Sequence, residues 1–213
     1  MGREENKVFL DLGEVSILEH SLSLFATLPF IREVVLVVSA ADRPRFEGEF
    51  KGRLDDLGVT GIVTGGKRRI DSSRAGVEAC RSDTDLILIH DAARPFPPAS
   101  AVEEAVDVAA RKGAAILAIP VSDTLKHSPN GSLVGATIPR AGLYCAQTPQ
   151  VFRRDVIINA MRNRPGRDHS DDASLVESVG HPVSLVAGHE HNIKITTKSH
   201  LAMARAIYRI EKD

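Results

Sequence analysis

The sequence contains no tryptophan, and aromatic residues make up only 4% of its 213 residues. Surfaces that stack single-stranded nucleic acid are built from aromatic side chains, so this composition argues against such a surface. The 27 basic and 28 acidic residues leave a net charge of −1, so no field of one sign favours nucleic acid either. We therefore predict no nucleic-acid partner.

Cysteine is scarce, and long apolar runs are absent from the sequence. Cys80 and Cys145 lie far apart and form no metal-binding motif, which is typical of thiols in a reducing compartment. No apolar run approaches the length of a membrane span, and the first residues contain no signal-peptide core. These features predict a soluble, cytoplasmic protein with no membrane partner.

Short apolar runs alternate with helical patterns over the first 120 residues. Apolar runs without a helical period predict buried strands at 34–39, 60–64, 86–89 and 114–119. Helical spacing predicts helices at 15–28, 42–46, 70–81 and 100–112, the last of them ended by Gly113. This alternation is typical of an α/β fold, with a mostly parallel twisted sheet and helices on both faces. No second domain is indicated, so we predict one domain over 1–213.

The pattern changes after Pro120. Residues 121–144 contain turn signals and no helical period, which predicts a hairpin-like arm with its turn at Asn130-Gly131. An arm without a core of its own usually packs on something else, often a second subunit. Beyond the arm, the patterns predict helices at 151–161, 173–179 and 201–210, and strands at 183–186 and 193–197.

Polar residues follow the predicted strand at 86–89, where an open α/β sheet binds its ligands. Asp91 is suited to hold a divalent metal, Ala92 and the next alanine allow the backbone to approach a ligand, and Arg94 is suited to a phosphate. The alternative is a capped turn in which Asp91 bonds to nearby amides. We expect the ligand role only if other parts of the sequence support it.

Further segments carry polar residues at predicted strand or helix ends. Gly65 and Gly66, with Ser72 beyond them, would let backbone amides approach a base or phosphate, or form only a turn. Asp123 stands in a similar segment, where the alternative is a polar turn. Thr148 is predicted to cap a helix that starts at Pro149, which does not exclude a ligand contact. Lys194 lies among apolar residues in a predicted strand, where an ammonium needs an anion.

No Ser-His-Asp or Cys-His arrangement accompanies these segments. The candidate groups are one well-placed carboxylate, on Asp91, and several cations: Lys7, Arg69, Arg94, Arg140 and Lys194. Such a set suits phosphoryl or nucleotidyl transfer, because the protein there mainly positions charged groups and neutralises developing charge.

Several ordered motifs extend over nearly the whole chain. They are Gly65-Gly66-x-x-Arg69-x-x-Ser72, His90-Asp-Ala-Ala-Arg-Pro95, Pro120-Val-x-Asp-Thr-Leu-Lys126, Arg140-x-x-Leu-Tyr-x-x-Gln-Thr-Pro-Gln-x-Phe152, and Asp171-Asp-Ala-Ser-Leu-Val-Glu177 followed by Asn192-Ile-Lys-Ile-Thr196. With them the chain resembles the 2-C-methyl-D-erythritol 4-phosphate cytidylyltransferases of the non-mevalonate isoprenoid pathway. The resemblance implies a homodimer of Rossmann-like subunits joined through the arm, CTP and methylerythritol phosphate as substrates, and Mg²⁺ as cofactor.

The resemblance also implies roles for single residues. Catalysis falls to Lys7, Arg140 and Lys194. Contacts with CTP fall to Gly65, Gly66, Arg69, Ser72, Asp91 and Ala92, and Asp91 also meets Mg²⁺. Contacts with methylerythritol phosphate fall to Arg94, Thr124, Arg140, Thr148, Ser170, Asp171 and Lys194. Thr124 and Arg140 would reach this pocket from the arm of the partner subunit. The implied mechanism is direct in-line attack on the α-phosphorus of CTP, without a covalent intermediate.

The sequence departs from the family pattern at its start. Family members begin with a strand and an Ala-Ala-Gly-x-Gly-x-Arg-Met-Gly loop around the triphosphate, and only Met1-Gly2 corresponds to that loop here. We expect a truncated chain that binds CTP poorly and turns over slowly. Two other functions stay open: a cytidylyltransferase for ribitol 5-phosphate or another polyol phosphate, and a non-catalytic dimeric binding protein.

Overall fold

The computed structural model describes residues 6–163 and 169–212, so the expected loop remnant Met1-Gly2 lies outside the described residues. The strands are β1 (Asp11–Leu12), β2 (Val15–Ser16), β3 (Val34–Val38), β4 (Val59–Thr64), β5 (Leu86–Ile89), β6 (Ala114–Pro120), β7 (Leu125–His127), β8 (Ala136–Ile138), β9 (Tyr144–Arg153) and β10 (Ser184–Ala187). The helices are α1 (Ile17–Thr27), α2 (Arg43–Glu47), α3 (Lys51–Asp56), α4 (Arg69–Ala79), α5 (Ala99–Lys112), α6 (Arg154–Asn163), α7 (Asp172–Ser178) and α8 (Lys198–Lys212), and Lys7–Phe9 forms a 3₁₀ turn.

The main sheet is mixed, with strand order β10-β6-β9-β5. β6 pairs in parallel with β10 and antiparallel with β9, and β9 pairs antiparallel with β5. The expectation that residues 86–89 lie in a parallel sheet was wrong in this respect. β9 lies between β5 and β6 and runs antiparallel to both. It therefore forms hydrogen bonds with β5 on the side where a parallel neighbour was expected. A second, parallel pair consists of β3 and β4.

Helices cover both faces of the main sheet, as the sequence predicts. On one face, Ala101, Ala105 and Ala109 of α5 pack against Leu117 and Val151. The opposite face has its own core, in which side chains of α4, α6 and α7 surround Ile87 and Phe152. Val151 and Phe152, which are adjacent in β9, thus lie in cores on opposite faces of the sheet. This is expected of a strand buried on both faces, because its side chains alternate between the two faces.

Helix α1 connects the two sheets. Leu18 and Leu22 pack with Val38 of β3, while Phe25 and Leu28 pack with Val102 of α5. The helix begins at a capping box in which the Ser16 hydroxyl and the Glu19 carboxylate satisfy amide groups that have no partner inside the helix. Ala92, just beyond the carboxyl end of β5, packs against the same core as Phe9, so this end of β5 lies beside the turn at Lys7–Phe9.

The arm predicted over 121–144 contains an antiparallel hairpin. Leu125 pairs with Ile138 and His127 with Ala136, and Gly131 in the connecting turn has φ +76°, a value that favours glycine. The side-chain oxygen of Asn130 accepts hydrogen bonds from the backbone amides of Ser132 and Leu133. The hairpin prediction is confirmed, whereas dimerisation through it stays a prediction.

Two other predicted elements were wrong. The helix expected over 151–161 begins only at Arg154, because Val151 and Phe152 are the buried end of β9. Residues 193–197 form no strand, and Lys194 is about half exposed instead of enclosed by apolar neighbours. The prediction that Lys194 has an anionic partner was nevertheless right, as described below. Among residues 6–163 and 169–212, no helix combines the length and hydropathy of a bilayer span.

Candidate active site

The carboxyl end of β5 meets the segment that precedes α8. The Nζ atom of Lys194 lies 2.9 Å from Oδ2 of Asp91, and Nε of Arg94 lies 3.5 Å from the same oxygen. Lys7 approaches from the N-terminal turn, where its ammonium donates a hydrogen bond to the backbone oxygen of Thr196. The fold thus brings Lys194 and Arg94 to the Asp91 carboxylate and ties Lys7 to the same segment before α8.

The cations determine the protonation of this carboxylate. Burial by itself would raise the pKa of Asp91, but the hydrogen bond and charge of Lys194 act in the opposite direction. With the further charges of Arg94 and Arg69, they hold the pKa of Asp91 below its ordinary value. Asp91 is therefore ionised at neutral pH, and the cations around it offer positive charge to an incoming phosphate.

Arg94 is held against the segment before α8 by a buried amide residue that the sequence analysis did not identify. Its Nη1 donates to the backbone oxygen of Asn192 at 2.6 Å, and the fully buried Asn192 side chain donates to the backbone oxygen of Thr148 at 2.9 Å. The backbone amide of Ile195 donates to the oxygen of Ala93. These hydrogen bonds hold the segment that carries Lys194 against the residues that follow β5. The signal in the sequence was a polar residue two positions before an apolar-flanked lysine.

Thr148 lies in β9, so the prediction that it caps a helix was wrong. Its hydroxyl oxygen accepts the backbone amide of Asp91 at 3.0 Å and lies 3.1 Å from Nδ1 of His90. The other ring nitrogen of His90, Nε2, lies 2.9 Å from the backbone oxygen of Arg94. Burial lowers the pKa of His90 to about 4, so the ring is neutral at pH 7.

The two predicted glycines lie where β4 meets α4, and each is required by a close approach. A Cβ on Gly65 would lie 2.6 Å from the Ser72 hydroxyl oxygen, and one on Gly66 would lie 2.4 Å from Cβ of Asp71. The backbone of Gly65 bonds to β3 through its amide, 2.8 Å from the oxygen of Val38. The loop therefore runs directly over the first turn of α4, with Gly65 half-buried and Gly66 exposed.

Arg69 has a structural partner. Its Nη2 lies 2.6 Å from Oδ2 of Asp172, a carboxylate that is fully buried. Because an unpaired buried carboxylate is costly, this ion pair ties the start of α4 to the start of α7. Asp171 is also occupied: its two oxygens accept the backbone amide of Ser174 and the side-chain amide of Gln150. The neighbouring Ser170 is exposed.

Thr124 and Arg140 lie on the exposed arm. Within the part of the chain that the structure describes, neither side chain forms a hydrogen bond or ion pair with another predicted site residue. Ala92 lies at the site through its backbone, whose oxygen accepts a hydrogen bond from the Ser21 hydroxyl at 2.8 Å. The arm residues are therefore separate from the cluster around Asp91 in a single subunit.

The site presents one carboxylate to a metal ion. No group of three or more His, Cys, Asp or Glu side chains suited to a metal exists among the described residues. Mg²⁺ does not need such a group, because it is commonly bound by one or two carboxylates together with substrate phosphates and water. Asp91, which is about a quarter exposed and uses Oδ2 for Lys194, fits this mode through its second oxygen.

Comparisons with known proteins agree over the whole chain. A family model described as 2-C-methyl-D-erythritol 4-phosphate cytidylyltransferase matches residues 1–210. A relative of that name from Syntrophotalea carbinolica is 39% identical over 209 residues, covering 97% of this chain and 89% of the relative. Another, from Geobacillus kaustophilus, is 40% identical over 204 residues, covering 95% and 88%.

Solved structures give the same result for the fold. The 2-C-methyl-D-erythritol 4-phosphate cytidylyltransferase of Thermus thermophilus is 34% identical and superposes with a TM-score of 0.82, covering 97% of this chain and 95% of that one. The 4-diphosphocytidyl-2C-methyl-D-erythritol synthase of Anaerococcus prevotii is 27% identical, with a TM-score of 0.83 over 93% and 88% of the two chains. The α/β fold expected from the sequence is therefore confirmed.

Proposed function

The chain belongs to the 2-C-methyl-D-erythritol 4-phosphate cytidylyltransferase family, and we propose that it transfers the cytidylyl group of CTP to 2-C-methyl-D-erythritol 4-phosphate. The products are CDP-methylerythritol and pyrophosphate, and the reaction contributes to isoprenoid precursor synthesis by the non-mevalonate pathway. Residues 1–213 act as one nucleotidyltransferase domain. The observation that carries the proposal is the pair of Lys194 and Arg94 at the Asp91 carboxylate, with Lys7 bonded to the same segment before α8.

The chemistry needs positioning more than proton transfer. A phosphate oxygen of methylerythritol phosphate forms a bond to the α-phosphorus of CTP, while the bond from that phosphorus to the bridging oxygen breaks and pyrophosphate leaves. The attacking oxygen is already ionised, so no general base is required. Lys7 and Lys194 stabilise the charge that develops on the α-phosphate, and Arg94 faces the sugar phosphate.

The nucleotide is placed by the glycine loop in this proposal. Gly65, Gly66 and Ser72 contact the cytosine, because the exposed backbone at Gly66 allows a base to approach. Ala92 contacts the ribose. Arg69 shapes the same pocket through its ion pair with Asp172. Asp91 would hold Mg²⁺, and the bound ion would supply positive charge to the triphosphate.

The sugar phosphate pocket is completed by a second copy of the chain. Arg140 and Thr124 lie on the exposed arm, and large apolar side chains are exposed beside them: Leu133, Val134, Ile138, Leu143 and Tyr144. Several exposed large apolar side chains on one short arm are typical of an interaction site. The proposal is a homodimer in which each arm brings Arg140 and Thr124 to the partner's site, near Ser170 and Asp171. The free thiols of Cys80 and Cys145 suit a cytoplasmic protein.

Pyrophosphate release tests this function. The full chain is given CTP and Mg²⁺ with either methylerythritol phosphate or ribitol 5-phosphate, and Lys194→Ala is the control. Release with methylerythritol phosphate, lost in the control, is the expected result. Faster release with ribitol 5-phosphate would assign the chain to the alternative substrate. Absence of release with both polyol phosphates, while CTP still binds, would contradict catalysis and favour a binding protein.

A further inference from the structure

Gln147, a buried residue of β9, binds the segment before α8 (residues 188–197) through its side-chain amide. Its Nε2 donates to the backbone oxygen of His189 at 2.8 Å, and its Oε1 accepts the backbone amide of the same residue at 3.2 Å. The same Oε1 accepts Nδ2 of Asn192 at 3.2 Å. A backbone N–H only donates and a backbone oxygen only accepts, so these partners fix the orientation of the Gln147 amide. One side chain thus bonds to three polar groups of a segment that forms neither helix nor strand up to residue 197.

An irregularity in β9 places Gln147 against this segment. The register between β9 and β6 shifts between Ile116 and Ala118, so Leu117 alone lies opposite the three residues 147–149. A bulge of this kind bends a strand and redirects its side chains. Here it gives a glutamine that is only 5% exposed a set of partners outside the sheet.

Asn192 extends these hydrogen bonds to the candidate active site. Its Nδ2 also donates to the backbone oxygen of Thr148 at 2.9 Å, and its own backbone oxygen accepts Nη1 of Arg94 at 2.6 Å. Lys194 follows two residues later in the same segment. The positions of Arg94 and Lys194 therefore both depend on the contact between Gln147 and Asn192.

Stability alone does not explain an asparagine at position 192. The side chain is fully buried, and its Oδ1 has no hydrogen-bond partner within residues 6–163 and 169–212. A buried acceptor without a partner destabilises the folded protein, and a leucine of similar size would avoid that cost. The placement of the backbone that receives Arg94 does explain the residue, because it requires the Nδ2 donor of Asn192.

We propose that Gln147 and Asn192 are positioning residues for nucleotidyl transfer, which place Arg94 and Lys194 by holding the segment before α8 on the bulge of β9. The inference rests on the proposed function and adds two residues to it, both of which act through other groups. A misplacement of about 1 Å is enough to lower a reaction rate by about a hundredfold. The glycine loop at 65–66 lies in another part of the chain, so its contact with the nucleotide should not change.

Hydrogen exchange of the full chain, without substrate or metal, tests the hydrogen bonds themselves. Gln147→Leu keeps the approximate size of the side chain but leaves both backbone groups of His189 without their partner. The amides of residues 188–197 should then exchange about tenfold faster or more, with the amides of β6 as the internal reference. Gln150→Leu is the matched control, because this equally buried glutamine of β9 bonds to the start of α7 instead.

Equal protection of residues 188–197 in the two glutamine variants would overturn the inference. The exchange measurement does not need turnover, so its failure is distinguishable from failure of the proposed function. Absence of pyrophosphate release from the wild type would contradict the proposed function, whereas unchanged exchange in Gln147→Leu would contradict the role of Gln147.

Kinetics of pyrophosphate release test the positioning role. In Gln147→Leu and in Asn192→Leu, kcat should fall by about tenfold to a hundredfold through misplacement of the reacting groups. The KM for CTP should stay within about twofold, because the glycine loop is untouched. The double variant should lose little more than either single variant, because the two amides act as one unit. A wild-type kcat in either single variant, or losses that multiply in the double variant, would contradict the inference.

Gly188→Ala tests the same contact if Gln147→Leu does not fold. A Cβ on Gly188 would lie 2.4 Å from Oε1 of Gln147 and 3.2 Å from the backbone nitrogen of Ala118, so the segment has to move away from β9. We expect faster exchange over 188–197 together with a lower kcat. Gly52→Ala is the control, because its Cβ meets no atom within 4 Å. Exchange and kcat equal to those of the control would overturn the inference.

Discussion

The Lys194 ammonium lies 2.9 Å from Oδ2 of Asp91, and this contact joins the end of β5 to the segment before α8. Both groups are partly exposed, so the pair contributes little to stability compared with a buried one. Its main consequence is electrostatic. The ammonium stands beyond the carboxyl end of β5 and shares Oδ2 of Asp91 with Arg94, so its positive charge is preorganised at the candidate site.

Removal of this ammonium should affect catalysis more than folding. In Lys194→Ala, kcat is expected to fall by about a hundredfold to a thousandfold, the usual effect of losing one preorganised group that stabilises charge. The midpoint of thermal unfolding should change little. Steady-state pyrophosphate release and calorimetry measure the two quantities, and Lys112→Ala at the exposed end of α5 is the control. Equal losses in both variants would show that Lys194 has no special role.

The arm makes a prediction that depends on subunit exchange. Arg140→Ala and Lys194→Ala should each be nearly inactive alone. If Arg140 serves the partner's site, mixed dimers regain one intact site, so an equal mixture after exchange should recover about a quarter of wild-type activity. Light scattering on the same samples checks the dimer. If the wild type is an active dimer but the mixture of the two variants recovers no activity after exchange, Arg140 belongs to the site of its own chain.

The glycine loop should tolerate no side chain. Gly65→Ala places a Cβ 2.6 Å from the Ser72 hydroxyl oxygen, which forces the loop away from α4. We expect the KM for CTP to rise by about tenfold, equivalent to about 1.4 kcal/mol of lost binding. Gly52→Ala is the matched control, because its Cβ meets no atom within 4 Å. Kinetics with CTP as the varied substrate test this, and equal KM values for the two variants would contradict it.

The Arg69–Asp172 ion pair predicts a stability effect. Arg69→Leu leaves the fully buried Asp172 carboxylate without its cation, and should lower the free energy of unfolding by about 1 to 3 kcal/mol, given that Arg69 is itself partly exposed. Arg74→Leu breaks an exposed pair with Glu78, so its effect should stay below about 0.5 kcal/mol. Urea unfolding measures both. Similar losses in the two variants would argue against the structural role of Arg69.

His90 predicts how stability depends on pH. Its pKa falls from the ordinary 6.5 to about 4 on folding, so below pH 6.5 the unfolded chain binds a proton that the folded chain refuses. Stability from this group is complete above pH 6.5 and is lost as the pH falls towards 4, by on the order of 3 kcal/mol. Asp91 acts in the same direction at lower pH, since its pKa is also lowered on folding.

Urea titrations in EDTA from pH 8 to pH 4 measure this dependence for the wild type and for His90→Asn. The variant lacks the titrating ring, so the difference between the two free energies of unfolding should shrink as the pH falls below 6.5. A constant difference over this range would show that the pKa of His90 is not lowered in the folded protein.

Local patterns of the sequence determined many of the elements and the place of the site. Gly113 ends α5 with φ +94°, and Gly131 of the Asn130-Gly131 pair lies in the turn of the arm with φ +76°. Both glycines adopt backbone conformations that few other residues adopt. The apolar run from Leu86 to Ile89 is a strand, and the polar residues after it form the ligand edge. These features depend only on neighbours along the chain.

Tertiary structure alone decided the order and direction of the strands, and the partners of the charged groups. Val151 and Phe152 belong to β9 because that strand pairs with β5 on one side and β6 on the other, and such hydrogen bonds join residues that are distant in sequence. The same is true of Lys194 with Asp91, Arg69 with Asp172, and Thr148 with His90. Periodicity reports which face of an element is buried, but it does not report which polar group lies opposite, because that depends on how the elements pack.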